Sequence, residues 1–484
     1  MRITVVSPFR RSGFRHAISD QYPATEPWDS AALVFVAALK NGGHDVNYLA
    51  LQNILDSWNP QSHAVLLDEM FKEPSDIVLF ASDDYIPSRS TATIFGMKIV
   101  CSRVRALHPN TIFAATGRLC TADPSGVMRE VPELDYILVG EWATSISQFI
   151  EACNLSRQNT TLIKSIGMLQ SDGLDATPIP DWAALKVSIS WFERLHKSCG
   201  GPIPLSIRTS AGCKFACRFC AGVPYWRNYK MKSAERVSAE LRAIRRDLGE
   251  RARVVFLEDE LFTLNEAHAM SVSRALEDHG VYLEGLYTHS SLLRGPVVSI
   301  LKDVTASVYL GMDNSVDRVL KGMRKGQTLS RMLDAIERAR REGLAVHLEW
   351  IVGSPEETLE DALMNLHSMF VLAASGMVSG INTYTYCPHP GTEYTRDANE
   401  LGMQICGGWE EMQESGGYPT AETTWLTRQQ SFVLYLISHL MLAEVAKARS
   451  GGYALNGSSI PNLSELRELL SHFGNGSADR RTAE

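Results

Sequence analysis

Three cysteines lie close together in the segment SAGCKFACRFCAG, at spacings of four and three residues: Cys213, Cys217 and Cys220. Thiolates are the protein ligands of iron–sulfur cubes, in which each iron takes one of them. A cube holds four irons, so three thiolates leave one iron without a protein ligand. We therefore expect a [4Fe-4S] cluster on these cysteines, with an open iron that can bind a substrate or a cofactor.

A zinc site and a disulfide are the alternatives for this group of cysteines. Structural zinc takes four Cys or His ligands, and only the distant Cys387 or His389 could complete such a set. A disulfide would leave one of the three neighbouring thiols over. Nine cysteines in a long chain of a reducing compartment also do not indicate a disulfide framework.

The cysteine group follows the first of six predicted strand–helix units in the second half of the chain. The strand segments are PLSIRTS, RVVFLED, VYLEGLY, ASVYLGM, AVHLEWIVG and VSGINTYTY. Six such units over residues 201–402 predict a barrel or partial barrel, whose chemistry is carried by the loops that follow the strands. The cysteines stand on such a loop.

The first 155 residues alternate short apolar runs with amphipathic segments. RITVVS, HDVNYLAL, SDIVLFAS, NTIFAAT and LDYILVG are predicted strands. This alternation predicts an α/β domain with a doubly wound parallel sheet. Ligands of such sheets bind at the carboxyl ends of the strands, which here are residues 82–84, 116–119 and 140–142.

The remaining segments are less regular. Residues 156–200 contain turn and breaker signals such as SDGLDATPIPDW, which predict a connector. Residues 403–484 are expected to form a small, mainly helical C-terminal region with a disordered tail. Its most apolar segment, SFVLYLISHLMLAEV, is shorter than the ~20 residues of a membrane span and predicts a buried helix.

The charge of the chain limits its partners. A formal net charge of -8 gives no overall positive field for nucleic acid or for an anionic membrane, so a small-molecule substrate fits better. The first residues, MRITVVSPF, lack the long apolar region of a secretory signal. A cytoplasmic protein is therefore expected.

Several motifs together resemble the radical SAM superfamily, whose members cleave S-adenosylmethionine (SAM). TSAGCKFACRFC resembles the family's entry strand and cluster loop. FLEDELF, GMDNSVDRVLKGMRKGQT, IVGSPEET and CPHPGTEY resemble the ends of its second, fourth, fifth and sixth strands. The resemblance covers roughly residues 200–402. It implies a partial (β/α)6 barrel in which the amino and carboxylate groups of SAM chelate the open iron.

The resemblance also implies contacts to the rest of SAM. Glu258 and Asp259, after the second strand, would accept hydrogen bonds from its ammonium group, since carboxylates pair well with cationic donors. Asp313 and Asn314, after the fourth strand, would bind the ribose hydroxyls, although the family more often has Glu and Ser there. The backbone would approach the adenine closely at Gly353, Ser354 and Pro355.

The segment ATGRLCTADPSGVMREVPELDYILVGEWATSI resembles the end of the cobalamin-binding domain that precedes many radical SAM barrels. Arg118 and Leu119 replace the more usual Pro and His, and Trp142 stands where a second Gly is common. The chain has no DxHxxG motif, so no histidine of that motif can be the lower ligand of cobalt. The resemblance implies a Rossmann-like domain over residues 1–155 with cobalamin contacts at Ser82, Thr116, Gly117, Thr121, Gly140 and Glu141.

The resemblance to class B radical SAM methyltransferases implies a reaction as well. One SAM methylates cobalamin, and a second yields a 5'-deoxyadenosyl radical that removes hydrogen from an unactivated carbon. Methylcobalamin then delivers the methyl group to a small-molecule substrate of the natural-product type. An external electron donor such as flavodoxin or ferredoxin is implied.

Three other functions are open at this point. Relatives with the same cofactors carry out ring rearrangement or cyclisation without methyl transfer. A radical SAM enzyme without cobalamin is a second alternative, and an iron–sulfur sensor protein is a third. A sensor is disfavoured because it needs neither an open iron nor acids at strand ends.

Four side chains that could face the substrate follow the sixth strand: Cys387, His389, Glu393 and Tyr394. Their position at the predicted top of the barrel suggests that Cys387 or Tyr394 quenches a radical or transfers a proton. The alternative is that these residues only shape the loop.

Overall fold

A computed structural model gives the fold of the chain. It describes residues 1–10, 27–55, 59–81, 91–140, 146–155, 161–164, 173–197, 200–222, 229–412, 418–451 and 462–473. These residues divide into two compact units. The first comprises Met1–Lys214, Ala221–Glu260 and Ala267–Leu283. The second comprises Phe215–Cys220, Leu261–Glu266 and Glu284–Glu484.

The first unit contains a six-stranded parallel sheet in the order β2-β1-β3-β4-β5-β6. Its strands are β1 (Arg2–Ser7), β2 (Asp45–Ala50), β3 (Ile77–Ala81), β4 (Ile112–Thr116), β5 (Tyr136–Val139) and β6 (Thr161–Lys164). The five strands predicted in this region are present because strands buried on both faces have continuous apolar sequences. The sixth, β6, lies within the predicted connector.

Helices connect and follow these strands. They are α1 (Ala31–Asn41), α2 (Leu51–Ile54), α3 (Pro60–Met70), α4 (Ile94–Leu107), α5 (Arg118–Ala122), α6 (Pro124–Glu130), α7 (Ile146–Leu155), α8 (Leu185–His196), α9 (Ala234–Leu248) and α10 (Glu266–Asp278). The start of α4 lies against the chain that follows β1. At Gly96 an added Cβ would lie 2.7 Å from the backbone nitrogen of Phe9 and even nearer its carbonyl oxygen. Only glycine fits this approach.

Four further strands complete the first unit: β7 (Ile203–Ile207), β8 (Ser210–Ala211), β9 (Lys230–Met231) and β10 (Ala252–Leu257). β7 pairs in parallel with β10, and β8 pairs antiparallel with β9. Trp28 extends the β7 sheet: its N–H donates to the Pro204 carbonyl at 2.9 Å, and its carbonyl accepts from Ser206 N–H at 3.0 Å. The segment before α1 is thereby fixed to β7.

The second unit is built on a four-stranded parallel sheet in chain order: β11 (Leu286–Thr288), β12 (Ser307–Asp313), β13 (Ala345–Val352) and β14 (Gly380–Thr385). A short antiparallel pair follows, β15 (Gln404–Ile405) with β16 (Ala421–Glu422). The helices are α11 (Gly295–Val304), α12 (Asp317–Gly322), α13 (Leu329–Arg341), α14 (Leu359–Ala374), α15 (Glu393–Arg396), α16 (Arg428–Gly451) and α17 (Leu463–Ser471).

Six strands are present in the second half of the chain, as β7, β10 and β11 to β14, but β11 overlaps the predicted segment VYLEGLY only at Leu286 and Tyr287. They form a two-stranded and a four-stranded parallel sheet, which confirms a mixed α/β fold with parallel sheets. Closure into a partial barrel stays a prediction. The predicted boundaries 1–155, 156–200, 201–402 and 403–484 also stay predictions.

The apolar helix predicted near the C-terminus is longer than its apolar core suggested. α16 has 24 residues, and among the described residues it is the one helix long and apolar enough to cross a membrane. Its residues Met441 and Val445 pack with Phe370 and Ala373 of α14 in a hydrophobic cluster. The helix is buried on this side only, with 39% of its most apolar window buried, so the predicted buried helix is correct only in part.

The close approach at Gly96 makes a stability prediction. Ala is ordinarily favoured over Gly inside a helix, but at this position the added methyl group collides with the Phe9 backbone. We expect Gly96→Ala to lower the free energy of unfolding by about 1–3 kcal/mol. Gly201→Ala is the matched control, because nothing lies within 4 Å of its added Cβ. Urea unfolding measures both, and equal stabilities of the two variants would contradict the described packing.

Candidate active site

The cysteine group stands on a loop whose two ends are held together in the first unit. β8 leads into the loop and β9 follows it, and Lys232 N–H donates to the Thr209 carbonyl at 2.8 Å. Gly212, which precedes the first cysteine, has a φ of 103°, a region that favours glycine. The sequence-predicted position of the loop after β7 is therefore confirmed.

None of the three cysteines forms a disulfide. Cys217 is 9% exposed, and Cys213 and Cys220 are partly exposed. Among the described residues, no three His, Cys, Asp or Glu side chains converge on one point as the ligands of a single metal ion do. The zinc alternative, with Cys387 or His389 as fourth ligand, is thus without support. A cube does not need such convergence, since each thiolate binds a different iron.

Three consecutive acids follow β10, and each has different partners within the first unit. Glu258 accepts hydrogen bonds from Ser30 N–H and Ser206 Oγ, both at 2.9 Å. The Arg208 guanidinium lies 3.6 Å from its other oxygen. Burial raises the pKa of Glu258, while Arg208 and the hydrogen bonds lower it. This carboxylate therefore connects the end of β10 to the start of α1.

The second acid, Asp259, is 1% exposed. It accepts hydrogen bonds from Thr209 N–H at 2.7 Å and from the hydroxyls of Thr209 and Ser210 at 2.6 Å. Burial raises its pKa, against the hydrogen bonds, which lower it. Asp259 thus fixes the turn between β7 and β8. The predicted SAM contacts of Glu258 and Asp259 stay predictions, and the partners seen in the structure are these protein groups.

The third acid, Glu260, was missed by the sequence analysis. Its Oε1 lies 2.5 Å from Nη2 of Arg118, and its Oε2 accepts from Gly212 N–H at 2.9 Å. Burial alone would raise its pKa, but Arg118, Arg208 and the Gly212 N–H lower it. Glu260 therefore remains a carboxylate next to the first residue of the cysteine loop. Its place as the third acid of FLEDELF was the available signal.

In the second unit, Arg218 anchors the middle of the cysteine loop. Its guanidinium binds three carboxylates, at 2.9 Å, 2.8 Å and 3.3 Å: Glu356, Glu393 and Asp397. Its N–H donates to the Met323 carbonyl, and its carbonyl accepts from Tyr394 N–H, both at 3.1 Å. Burial lowers the pKa of Arg218, but Tyr394 and the acids raise it. The guanidinium of Arg218 therefore stays positively charged.

Lys325 is a second buried cation near the loop in this unit. Its Nζ lies 2.5 Å from the Asp313 carboxylate and 5.8 Å from the centre of the Phe219 ring. Burial lowers the pKa of Lys325, but Asp313 and the thiols of Cys217 and Cys220 raise it. Asp313, with a φ of 59°, was predicted to bind ribose. That role stays a prediction, and its carboxylate pairs with Lys325 in the structure.

Asn314 and Gly353, predicted to contact SAM, share a partner that sequence did not reveal. Asn314 Nδ2 donates to Glu357 Oε1 at 2.7 Å, and Gly353 N–H donates to Glu357 Oε2 at 2.6 Å. Asn365 Nδ2 of α14 also donates to Glu357, at 3.1 Å. Glu357 therefore holds the ends of β12 and β13 together. Full burial raises its pKa to about 7.

The other residues of the predicted adenine contact are also enclosed. Ser354 is fully buried, and Pro355 is buried beside it. A Cβ on Gly353, where φ is 83°, would lie 2.8 Å from Ser431 Oγ of α16. Because Gly353 has no side chain, α16 can pack closely against it. The sequence had instead predicted that this glycine makes room for the adenine of SAM.

The predicted cobalamin residues at the ends of β4 and β5 come together around one side chain. Thr121 Oγ1 donates to the Gly117 carbonyl at 3.0 Å and accepts from Gly140 N–H at 2.9 Å. Thr116 ends β4 and is fully buried. Ser82 and Glu141 lie outside the described residues. Through these two hydrogen bonds, Thr121 of α5 links the end of β4 to the end of β5.

Cys387 and Tyr394, predicted as catalytic candidates, are both buried in the second unit. Cys387 Sγ lies 3.8 Å from His389 Nδ1. The Tyr394 hydroxyl donates to Glu356 at 3.3 Å, and its ring packs in a hydrophobic cluster with Met323, Tyr386 and Met403. Their catalytic roles stay predictions, and the contacts of Tyr394 are those of a core residue.

Comparison with known proteins identifies the domain that carries these groups. Residues 207–368 match the radical SAM superfamily. An uncharacterized methyltransferase of Pyrococcus horikoshii is 24% identical over 426 residues, which cover 84% of this chain and 85% of the relative. The anaerobic magnesium-protoporphyrin IX monomethyl ester cyclase of Synechocystis sp. is 21% identical over 412 residues, covering 83% of this chain and 78% of the relative.

A solved structure is similar over almost the whole chain. It is the radical SAM methyltransferase TsrM from Kitasatospora setae with cobalamin and a [4Fe-4S] cluster bound. The TM-score is 0.62 at 14% identity, and the match covers 95% of this chain and 91% of TsrM. TsrM has also been solved with tryptophan and a SAM analogue. At this identity the likeness concerns the fold.

The raised pKa of Glu357 predicts a pH effect on stability. The folded chain keeps this proton up to about pH 7, whereas an unfolded chain loses it near the ordinary pKa of 4.5. The folded state binds more protons in that interval, so stability falls as pH rises from about 4.5 to 7, by on the order of 3 kcal/mol. Glu357→Gln should remove this part of the slope.

Urea unfolding at a series of pH values under argon measures the slope. Glu360→Gln is the control, because it removes an exposed carboxyl at the start of α14, whose ion pair with Arg467 is also exposed, and should leave the slope nearly unchanged. The slope is the readout, since the glutamine amide also loses one acceptor for the donors around residue 357. Equal slopes in Glu357→Gln and the wild type would contradict the assignment.

Proposed function

We propose that this chain, which carries a radical SAM domain over residues 207–368, is a cobalamin-dependent enzyme that methylates an unactivated carbon of a small-molecule substrate. The observation that carries the proposal is the loop with three cysteines, Cys213, Cys217 and Cys220, set between β8 and β9. Three thiolates suit a cube with one open iron. Cys213, Cys217 and Cys220 would hold that cube.

The residues around the loop fit this cofactor. When bound, the cluster supplies the electron that cleaves SAM, and cobalamin supplies the methyl group. Lys325 offers positive charge beside two of the thiols, which offsets the negative charge of thiolate ligands. Arg218 fixes the loop backbone between them. These side chains hold the ligands and do not themselves react.

SAM would lie against the strand ends beside the loop. Of the acids after β10, Glu260 has the most exposed side chain, at 13%, and lies next to Gly212. We infer that Glu258 and Asp259 form the negative environment for the ammonium group, while Glu260, paired with Arg118, positions the start of the cysteine loop. In the second unit, Glu357 would act as a positioning residue, because it holds both Asn314 and Gly353.

Cobalamin would bind at the carboxyl edge of the six-stranded sheet, where Thr116, Gly117, Thr121 and Gly140 meet. Doubly wound parallel sheets bind ligands at the carboxyl ends of their strands, as these residues of β4 and β5 are placed. Gly117 and Gly140 have φ values of 113° and 93°, a region that favours glycine, and Gly140 is partly exposed at the end of β5.

The finer architecture belongs to the same proposal. β7, β10 and β11 to β14 would form a partial (β/α)6 barrel that follows, along the chain, a cobalamin domain of residues 1–155. A reductant is required, for which flavodoxin or ferredoxin is suited. We place the reaction in the cytoplasm.

Ring closure without methyl transfer is the second candidate. The similarity to a relative named as a cyclase, over 83% of this chain, favours it. Both candidates use the same cofactors, so the fate of the SAM methyl group separates them. Methyl-labelled SAM in the reaction mixture tests this directly: the label enters the product in a methylation and is absent from the product of a cyclisation.

The cluster itself is tested by anaerobic reconstitution with iron, sulfide and hydroxocobalamin, followed by desalting and metal analysis. We expect about four irons per chain, retained cobalt, and SAM cleavage to methionine and 5'-deoxyadenosine. Cys217→Ser should lose most of the iron and the cleavage. Cys406→Ser is the matched control, since Cys406 is partly exposed and lies outside the loop.

Two results would contradict the proposal in different ways. If Cys217→Ser cleaved SAM at the wild-type rate, the three-thiolate loop would not be the site of SAM cleavage. Full iron and SAM cleavage without retained cobalt would leave a radical SAM enzyme and remove cobalamin.

A further inference from the structure

Arg118 is a buried cation that the function proposed above does not use. It is the first residue of α5 and directly follows Gly117 at the end of β4. Its side chain is only 3% exposed. Nη2 lies 2.5 Å from Oε1 of Glu260, which is 142 residues further along the chain. The pair therefore connects the carboxyl edge of the N-terminal sheet to the end of β10.

The other oxygen of Glu260 continues this connection. Oε2 accepts a hydrogen bond at 2.9 Å from the N–H of Gly212, the residue before Cys213. The carboxylate is planar and rigid, so a displacement of Arg118 that moves one oxygen also moves the other. Gly212 has a φ of 103°, which fixes the direction of its N–H. The contact thus reaches the backbone at the first cluster ligand.

The same short helix, α5, also carries a residue of the proposed cobalamin edge. Thr121, one turn after Arg118, donates to the Gly117 carbonyl and accepts from Gly140 N–H. A ligand that displaces the ends of β4 or β5 therefore acts on the short helix that carries Arg118. One five-residue helix joins the two contacts.

The cost of this arrangement indicates a role beyond stability. Removing a guanidinium and a carboxylate from water costs several kcal/mol per ion, and an apolar pair of similar size is often as stable or more so. Buried ion pairs are best accounted for where they specify a geometry. Here the geometry specified is that of α5 relative to the Gly212 amide.

We propose that Arg118, Glu260 and the Gly212 amide form a relay through which cobalamin bound at the ends of β4 and β5 alters the electronic state of the cluster. Arg118 and Glu260 act as positioning residues. Hydrogen bonds and fixed charges near cluster ligands are known to set reduction potentials, so a shift at the Gly212 amide changes the potential. The inference rests on the proposed function.

The experiment measures the midpoint potential and the electron paramagnetic resonance (EPR) spectrum of the reduced cluster, with and without hydroxocobalamin. Iron and cobalt contents are determined on the same samples. The wild type should show a shift in both readouts on cobalt retention. Arg118→Met and Glu260→Gln should retain both metals and lose the shift. The double variant should be no different from either single variant.

One further variant controls for loss of charge, and Glu260→Gln also controls for misfolding. Lys98→Met removes a cation of helix α4 in the same unit, which pairs with Glu130 at 3.0 Å, and should keep the shift. Glu260→Gln retains an acceptor for Gly212 N–H, so its cluster assembles even if Arg118→Met loses iron.

Each outcome decides the inference. A shift in the wild type that persists in both Arg118→Met and Glu260→Gln overturns the relay. Cobalt retained by the wild type without any shift overturns the coupling and leaves the proposed function intact. No cobalt retained by the wild type overturns the cobalamin proposal together with the relay.

Discussion

The cysteine loop is held by buried charges, and the candidate site depends on this constraint. Three thiolates can leave one iron of a cube open only if the loop keeps its shape without a fourth ligand. In the first unit, Glu260 binds the Gly212 amide where the loop begins. In the second unit, Arg218 lies between Cys217 and Cys220 in the chain, and its guanidinium binds three carboxylates. These contacts bind the loop backbone directly before Cys213 and between Cys217 and Cys220.

The acids near the site illustrate how burial decides what a carboxylate does. Glu258 and Asp259 are almost fully buried, and their oxygens accept hydrogen bonds from hydroxyl and backbone donors. A buried carboxylate must be satisfied in this way, because an unpaired buried charge is costly. Their first contribution is to fix β7, β8 and α1 beside β10. Glu357 does the same for the ends of β12 and β13.

Local signals in the sequence were sufficient for most of the elements. Strands such as β3, IVLFA, are apolar at every position because both faces are buried, whereas β6 was missed because TLIK is short and mixed. The cysteine spacing predicted the loop. Arg118 and Glu357 were not predictable, since their roles arise from side chains or strand ends that the fold brings together, in the case of Arg118 across 142 residues.

The open iron is the central claim, and it can be observed directly. SAM labelled with 15N at its amino group and 17O at its carboxylate is added to the reduced cluster, and electron–nuclear double resonance is recorded. The account predicts hyperfine coupling from both labels, because both groups bind the iron that no thiolate occupies. Tight binding of SAM without coupling to either label would contradict it.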